Sequence, residues 1–330
     1  MVLSLVLMLI GLTLLVGGAE SLVRGASALA RRLGVPPIVV GLTVVAFGTS
    51  TPELAVNVAA ALDGKTGLSF GNVVGSNIAN IGLILAVAAL VRPLEVHASV
   101  VNREIPMLLL GTAAAIAMAF DRRLDGAAID AFGRGDGLVL LLLFGVFLYY
   151  TIVGALRQRG GRDAYVEELH DDVAAQPPQP LWISLLLTVG GLVGVIFGGN
   201  WTVDNAVVLA RQAGVPDAVI GLTFIAVGTG LPELVTSVIA AKRGHSDLAI
   251  GNVVGSNIYN LLFVQGATAA IRPVAVPAGG HADLLVMAAM TVSLLPLAMF
   301  RERRIGRTGG LLLLTAYIVY VIWRVGPSVS

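Results

Sequence analysis

The sequence contains no cysteine and few charged residues, and each shortage excludes a class of protein. Without cysteine the chain can form no disulfide, thiolate metal site or cysteine nucleophile. Asp, Glu, Lys and Arg make up 12% of the 330 residues, whereas about 25% is usual in soluble domains. The net charge of +1 offers no basic surface to a nucleic acid. A soluble enzyme, a secreted disulfide scaffold and a nucleic-acid binder are therefore poor interpretations.

The sequence is instead rich in long apolar stretches. Apolar residues make up 56% of the chain, and a membrane span needs about 20 largely apolar residues. Ten stretches qualify: 2–30, 36–62, 68–91, 104–120, 137–156, 181–210, 216–241, 248–271, 283–300 and 309–325. The pattern predicts an all-α integral membrane protein with ten transmembrane helices. The first stretch lacks the basic start of a signal peptide, so we expect it to be a retained span.

One hydrophilic interval, residues 157–180, divides the chain. Its charges and prolines indicate a linker, with five spans in residues 1–156 and five in residues 181–330. Cytoplasmic loops carry an excess of Lys and Arg, and thirteen such residues fall on one side of the predicted spans against seven on the other. This bias predicts that both termini lie outside and that the linker lies in the cytoplasm.

Two segments of the sequence are repeated 180 residues apart. GLTVVAFGTSTPEL at 41–54 returns as GLTFIAVGTGLPEL at 221–234, and GNVVGSNIAN at 71–80 returns as GNVVGSNIYN at 251–260. Because the copies lie five spans apart, an odd number, they should enter the membrane from opposite sides. Inverted repeats with Gly/Pro-interrupted segments are typical of secondary transporters, whose site lies near the midplane.

Each copy carries a glutamate near the middle of an apolar span. Glu53 and Glu233 are costly at that depth, and an ionisable residue there is by default a functional hypothesis. Pro52 and Pro232 precede them, and each proline removes a hydrogen bond to the carbonyl four residues earlier. Irregular backbone at membrane depth is tolerated only where it is buried in protein or lines a cavity. We therefore expect interrupted second and seventh helices beside a polar site.

Hydroxyl and amide side chains accompany both glutamates. Residues four apart share a helix face, so Thr49 should lie with Glu53, and Thr229 with Glu233. The third and eighth spans carry matching polar stripes: Asn72, Ser76 and Asn80, then Asn252, Ser256 and Asn260. Oxygen donors without a soft ligand suit Ca²⁺ or Na⁺ better than a transition metal.

These motifs resemble those of the cation/calcium exchanger superfamily, and more closely its prokaryotic sodium/calcium exchangers. The resemblance rests on both copies of the two motifs and on the ten-span layout. It implies a transporter, not an enzyme, that extrudes Ca²⁺ against Na⁺ by alternating access. The first and sixth helices would slide as gates across the second, third, seventh and eighth. Only the two ions and the lipid bilayer are implied as partners, with no cofactor, nucleic acid or required protein partner.

The resemblance also implies which residues hold the cations. Glu53 and Glu233 would bind Ca²⁺ and share Na⁺. The further ligands that it implies are hydroxyls, amides and two backbone carbonyls: Ala46, Thr49, Ser50, Ser76, Asn80, Ala226, Thr229, Ser256 and Asn260.

Two residues depart from the family pattern. Gly230 stands where the second repeat usually has serine, which removes a hydroxyl, and Asn260 stands where some relatives have aspartate. The number of Na⁺ ions and any coupling to H⁺ therefore stay open. An H⁺/Ca²⁺ exchanger or a K⁺-assisted exchanger of the same fold is the alternative.

Two alternatives from other classes are weaker. Residues 133–136 read GRGD, which matches the GxGD string of intramembrane aspartyl proteases, but Asp136 lies in a charged loop and the string is not repeated. A polar cavity between the repeats could also conduct ions as a channel. Inverted, interrupted helices favour a transporter over a channel.

Overall fold

The computed structural model is almost entirely helical and describes residues 2–121, 126, 128–158, 179–213, 228–299 and 303–325. The first half contains α1 (Val2–Leu33), α2 (Pro37–Thr49), α3 (Thr51–Leu62), α4 (Thr66–Val91), α5 (Val100–Met118) and α6 (Arg134–Gln158). The second half contains α7 (Leu181–Gln212), α8 (Leu231–Lys242), α9 (246–271), α10 (Gly280–Met299) and α11 (Arg307–Val325).

Six of the described helices, α1, α4, α5, α6, α7 and α10, are long and apolar enough to cross a membrane. The bent pair α2 and α3 adds a seventh span if it is counted as one. Large apolar side chains such as Leu142 and Trp182 are exposed on these helices, where a bilayer would cover them. The all-α membrane class is therefore confirmed.

The remaining predicted spans are represented unevenly. α9 and α11 lie where the eighth and tenth spans were predicted. The predicted seventh span, 216–241, is described only from residue 228 onwards, where it contains α8. Most of the predicted linker, 157–180, lies outside the described residues.

The predicted interruption of the second span lies at Ser50. α2 and α3 meet there at an angle of 46°, and Ser50 has φ −87° and ψ 9°, outside the α-helical range. Pro52 stands in the first turn of α3, where a missing N–H is tolerated. In the second copy Gly230 has nearly the same angles, φ −85° and ψ 0°, and Pro232 stands in the first turn of α8. Both glutamates thus follow the same local structure.

π-helical segments occur within four of the described helices. They are Gly41–Val45 in α2, Asn80–Leu85 in α4, Val100–Glu104 in α5 and Tyr259–Val264 in α9. A π turn contains an extra residue and is frequent at functional sites. Because the segments of α4 and α9 lie at equivalent positions of the repeat, the polar faces of these two helices turn at the same place.

α1 and α7 pack against each other through glycine. A Cβ added at Gly11 would lie 2.7 Å from the backbone nitrogen of Thr202, and one at Gly25 would lie 2.5 Å from that of Thr188. From α7, Gly198 makes the reciprocal contact with Leu15. Positions rise along α1 as they fall along α7, so the two helices are antiparallel. Small residues let the two backbones touch, as is common in membrane helix pairs.

Two short antiparallel strand pairs join the halves of the chain. They are β1 (Leu94–Glu95) with β4 (Arg304–Ile305), and β2 (Ala131–Phe132) with β3 (Val274–Ala275). Each pair takes one strand from each half. Each pair is therefore shared between the two halves and cannot form without both.

α9 lies in the core, where every residue from Leu248 to Ile258 is buried. It packs against α2, α4 and α8. A Cβ added at Gly255 would lie 2.7 Å from the carbonyl oxygen of Leu42, so glycine is needed for the contact with α2. This close approach places the polar residues of α9 beside the break between α2 and α3.

Candidate cation-binding site

Two buried carboxyl groups form the centre of the site. Glu53 is 2% exposed and Glu233 is 1% exposed, and each lies in the first turn of the helix that follows a break. The two groups are near enough for their charges to interact. One oxygen of each, Oε2, has no hydrogen-bond partner among the described residues. Buried negative charges need a compensating positive charge, which a bound cation would supply.

The hydroxyl groups of each repeat lie beside the carboxyl group of the other repeat. Ser50 Oγ donates a hydrogen bond of 2.9 Å to Glu233 Oε1, and the Thr49 hydroxyl also lies beside Glu233. The Thr229 hydroxyl lies beside Glu53 in the same way. The site is therefore assembled across the two repeats, although Thr49 and Glu53 were predicted to point together within one copy.

Amide side chains hold the glutamate helices in place. Asn57 Nδ2 donates to the backbone oxygen of Glu53 at 2.7 Å, and Asn57 Oδ1 accepts from Ser69 Oγ at 2.6 Å. In the second repeat Asn252 Nδ2 donates to Ser237 Oγ at 2.9 Å. Asn252 Oδ1 also lies 3.1 Å from Thr49 Oγ1, which donates to it. These bonds join α3 to α4, and α9 to both α8 and α2.

A second amide group joins α4 to α9. Asn80 Nδ2 donates to Asn257 Oδ1 at 2.9 Å, and Asn257 Nδ2 donates to the backbone oxygen of Asn77 at 3.4 Å. Three buried oxygens nearby in sequence, Asn77 Oδ1, Ser256 Oγ and Asn260 Oδ1, have no partner in the described part of the chain. These oxygens are available to a cation.

Most of the predicted ligands are buried in this core. Thr49, Ser50, Glu53, Asn80, Glu233, Ser256 and Asn260 are all buried. Thr229 and Ser76 are half-buried. The carbonyl of Ala46 accepts hydrogen bonds from the Ser50 nitrogen at 3.0 Å and from Thr49 Oγ1 at 3.3 Å. Ala226 lies outside the described residues.

The sequence prediction missed several amides, above all Asn77 and Asn257. Both are buried and stand at the same position of the two copies, and that repetition was the signal that could have identified them. A spacing of four along a regular helix selected Ser76 instead. The inward face of α4 includes Asn77, and the π segment that begins at Asn80 turns this face further.

Comparison with known proteins identifies the family. The family model described as sodium/calcium exchanger protein matches residues 3–153 and 183–326. The chain belongs to the sodium/calcium exchanger family.

Similar proteins cover three quarters or more of the chain. The inner membrane protein YrbG of Escherichia coli (strain K12) is 38% identical over 97% of this chain and 96% of its own length. The sodium/calcium exchanger MaX1 of Methanosarcina acetivorans is 33% identical over 75% of this chain and 77% of its own. A solved structure of the sodium-calcium exchanger NCX_Mj, soaked with zero Na⁺ and Ca²⁺, has a TM-score of 0.82 and 32% identity, and covers 97% of this chain and 98% of that one.

The family is one of exchangers and not of enzymes, which removes the protease alternative. The GRGD string has a structural explanation instead. Asp136 Oδ2 accepts a hydrogen bond of 2.7 Å from the Gly133 nitrogen at the start of α6. An acidic residue in the first turn also complements the positive end of a helix.

Proposed function

We propose that this exchanger extrudes Ca²⁺ in return for Na⁺ and that Glu53 and Glu233 are the carboxylates of its transport site. The observation that supports this most is the pair of buried, interacting carboxyl groups, each with an unpartnered oxygen. Two negative charges balance one Ca²⁺. Oxygen ligands alone surround them, which suits hard cations.

We assign the other ligands as the family resemblance implies. Ca²⁺ takes about 6–8 oxygens, and the two carboxylates would be joined by the hydroxyls of Thr49, Ser50 and Thr229 and by the carbonyls of Ala46 and Ala226. The remaining ligands would complete flanking Na⁺ sites: Ser76, Asn80, Ser256 and Asn260. The unpartnered oxygens of Ser256 and Asn260 support this assignment.

Antiport follows from competition for one pair of carboxylates. Either one Ca²⁺ or several Na⁺ neutralise the pair, and only a neutralised site lets the gates change sides. If three Na⁺ replace one Ca²⁺, net charge moves with each cycle. The membrane potential then contributes about 2.3 kcal/mol per charge per 100 mV.

We also propose that the chain spans the membrane ten times as two inverted five-helix repeats, residues 1–156 and 181–330. Both termini would lie outside and the 157–180 linker in the cytoplasm. The antiparallel packing of α1 against α7, the first helix of each repeat, supports the inversion. Because α1 and α7 touch through their backbones, we expect them to move together as the gates.

Uptake of radiolabelled Ca²⁺ into proteoliposomes tests the proposal. The vesicles are loaded with Na⁺, with K⁺, or with a pH gradient, for the native protein and for Glu53→Gln and Glu233→Gln. We expect uptake to require internal Na⁺ and to fall by about 100-fold or more in either variant, because each loses a charge that binds the ion. Glu95→Gln changes an exposed acid that pairs with Arg304 and serves as the control.

Two results would contradict the proposal. Uptake driven by the pH gradient alone would make H⁺ the counter-ion and leave the site in place. Uptake that persists in both glutamine variants would show that the site is elsewhere.

A further inference from the structure

The helix pair α5–α6 of the first repeat has a counterpart, α10–α11, in the second. Core-facing residues align between α5 and α10 in this order: Ile105 with Leu284, Leu108 with Met287, Thr112 with Thr291, and Ala115 with Leu294. Core-facing residues align between α6 and α11 as well: Leu140 with Leu313, Phe144 with Tyr317, and Phe147 with Tyr320. The strand residues before α6 and α11 follow the same correspondence, since Phe132 matches Ile305. By this alignment Glu104 corresponds to Asp283, and Thr151 to Arg324.

In the second repeat the acid of this pair is neutralised by an arginine. Asp283 is 8% exposed. Its Oδ1 accepts a hydrogen bond of 3.0 Å from Arg324 Nε and one of 2.9 Å from the Tyr320 hydroxyl. Arg324 also donates to the backbone oxygen of Ala278 at 3.3 Å. A buried acid with an arginine at this distance carries no uncompensated charge.

In the first repeat no arginine among the described residues is hydrogen-bonded to the equivalent acid, although the charge of Arg103 acts on it. Glu104 is 3% exposed, and its Oε2 has no hydrogen-bond partner in the described ranges. Thr151 takes the place of the arginine, and its buried hydroxyl also lacks a partner there. The neighbouring Arg103 is turned to α6, where Nη2 donates to the backbone oxygen of Tyr150 at 3.3 Å and the guanidinium lies 5.3 Å from the Tyr150 ring centre.

A small cavity lies between Glu104 and Thr151. It has a volume of about 10 Å³, which is the space of roughly one water-sized sphere. Pro36, Ile38 and Val39 line it with apolar side chains at the start of α2. The other polar groups on its wall are His97 and Ser99 of the segment before α5, and Arg103. A water molecule in this cavity would satisfy the hydrogen bonds and leave Arg103 to balance the carboxylate charge. Arg103 acts on Glu104 from the cavity wall, but its guanidinium is bonded to the backbone of Tyr150 instead of to the carboxylate.

We propose that this cavity binds one Na⁺, held by the Glu104 carboxylate and the Thr151 hydroxyl, at a site separate from the transport site. The ion supplies the positive charge that Arg324 supplies in the second repeat. A single carboxylate with hydroxyl ligands suits a monovalent cation, because the nearby Arg103 disfavours a second positive charge. The site joins the start of α2 to α5 and α6, so a bound ion stabilises the fold instead of being carried across the membrane.

Thermal unfolding of the full-length Glu53→Gln/Glu233→Gln variant tests this site with the transport carboxylates removed. The midpoint is measured in NaCl and in N-methylglucamine chloride at equal ionic strength, over a range of pH. We expect the midpoint to rise by about 2 °C or more in Na⁺, because an ion that binds only the folded state stabilises it. Adding Glu104→Gln should abolish the rise.

Two further substitutions refine the test at Thr151. Thr151→Arg introduces the side chain of the second repeat and should raise the midpoint without Na⁺ while removing the response to Na⁺. Thr151→Val keeps the volume of the side chain but loses the hydroxyl, and it should weaken the Na⁺ response if the arginine variant does not fold.

Three results would overturn the proposal. A Na⁺ response that survives Glu104→Gln would place the ion elsewhere. A midpoint that follows pH but not Na⁺ would mean that Glu104 takes up a proton. A midpoint that follows neither would mean that Arg103 and a water molecule are sufficient. None of these results bears on transport, because both transport glutamates are already replaced.

Discussion

The two repeats contribute equally to the seam between α1 and α7 but unequally to the proposed transport site. In the seam the repeats contribute the same residue at the same position, Gly18 in α1 and Gly198 in α7. At the transport site Ser50 donates a hydrogen bond to the opposite carboxyl group, whereas its counterpart Gly230 has no side chain to do so. Where two backbones touch, neither helix can carry a side chain at the point of contact. A ligand of the proposed site can change in one repeat while the other repeat keeps its own ligand. The seam therefore retains the symmetry of the two repeats, whereas the site does not.

The largest expected effect comes from breaking the symmetric seam. A Cβ at Gly18 would lie 2.6 Å from the backbone nitrogen of Val195, so Gly18→Leu and Gly198→Leu should each force α1 and α7 apart. We expect a loss of about 3 kcal/mol or more in stability, seen as little monodisperse protein in size-exclusion chromatography. Gly17→Leu and Gly190→Leu are matched controls, because a Cβ at either exposed glycine meets nothing within 4 Å.

The next effect concerns the asymmetric hydroxyl. Ser50→Gly removes the donor to Glu233 and should weaken Na⁺ competition with Ca²⁺ by about tenfold, the cost of a hydrogen bond to a charged group. Gly230→Ser should strengthen Na⁺ competition and make it steeper, because Glu53 gains a hydroxyl. Na⁺ inhibition of Ca²⁺ uptake measures both changes. In the double variant the hydroxyl is moved from one repeat to the other, and Na⁺ should compete with Ca²⁺ nearly as it does in the native protein. If Na⁺ competition stays as weak as in Ser50→Gly, the two halves are not interchangeable.

A smaller effect is expected at two symmetric turns. Gly64 and Gly244 have φ of 77° and 83°, and each is covered by the guanidinium of an arginine from the other repeat, Arg272 and Arg92. Alanine at either position should lower the stability by about 1 kcal/mol, because L-residues are strained at positive φ. Equal shifts of the melting midpoint are expected for the two variants, and a shift in only one would show that the turns are not equivalent.

The smallest effect should appear in the dependence of stability on pH. Burial, followed by the charges of Arg31, Arg243 and Arg92, holds the pKa of His245 below 6.5. The folded state therefore favours neutral His245, and this contribution to stability, complete above about pH 6.5, is lost as the pH falls from there through the lower pKa of the folded state. His245→Asn should flatten the fall in melting midpoint between neutral and mildly acidic pH. Lys65, the counterpart in the first repeat, is exposed, and Lys65→Asn should leave that slope unchanged.

Much of the fold and of the site centre could be predicted from the sequence. Apolar length located the described helices to within a few residues, and the duplicated Gly-Thr-x-x-Pro-Glu motif located both glutamates. These features depend on local composition and on repetition, both of which can be read directly from the sequence. The break at Ser50 was predicted for the same reason, because Pro52 alone is sufficient to interrupt a helix.

The sequence could not show which partners meet across the repeats. The bond from Ser50 to Glu233 joins residues far apart in the chain, and a helical-wheel argument pairs each threonine with the glutamate of its own copy instead. Asn77 lies in the regular α-helical part of α4, and its burial depends on how α4 packs against α9, which the spacing along one helix does not show. The sequence did not indicate a role for Glu104, because Glu104 lies at the end of a predicted span, where acidic residues are common. Its burial depends on α2 and α6, which only the three-dimensional structure brings together.

Because strands and helices of one repeat pack on those of the other, the protein can assemble only after both repeats have been synthesised. The glycine face of α1 packs on α7, and β1 packs on β4 near the far end of the chain. At about 5–20 residues per second on the ribosome, the partner of α1 is made roughly 10–40 s later. During that interval the nascent first half has no native contact for its glycine face. Lipid or the insertion machinery must cover it, so the exchanger cannot mature one half at a time.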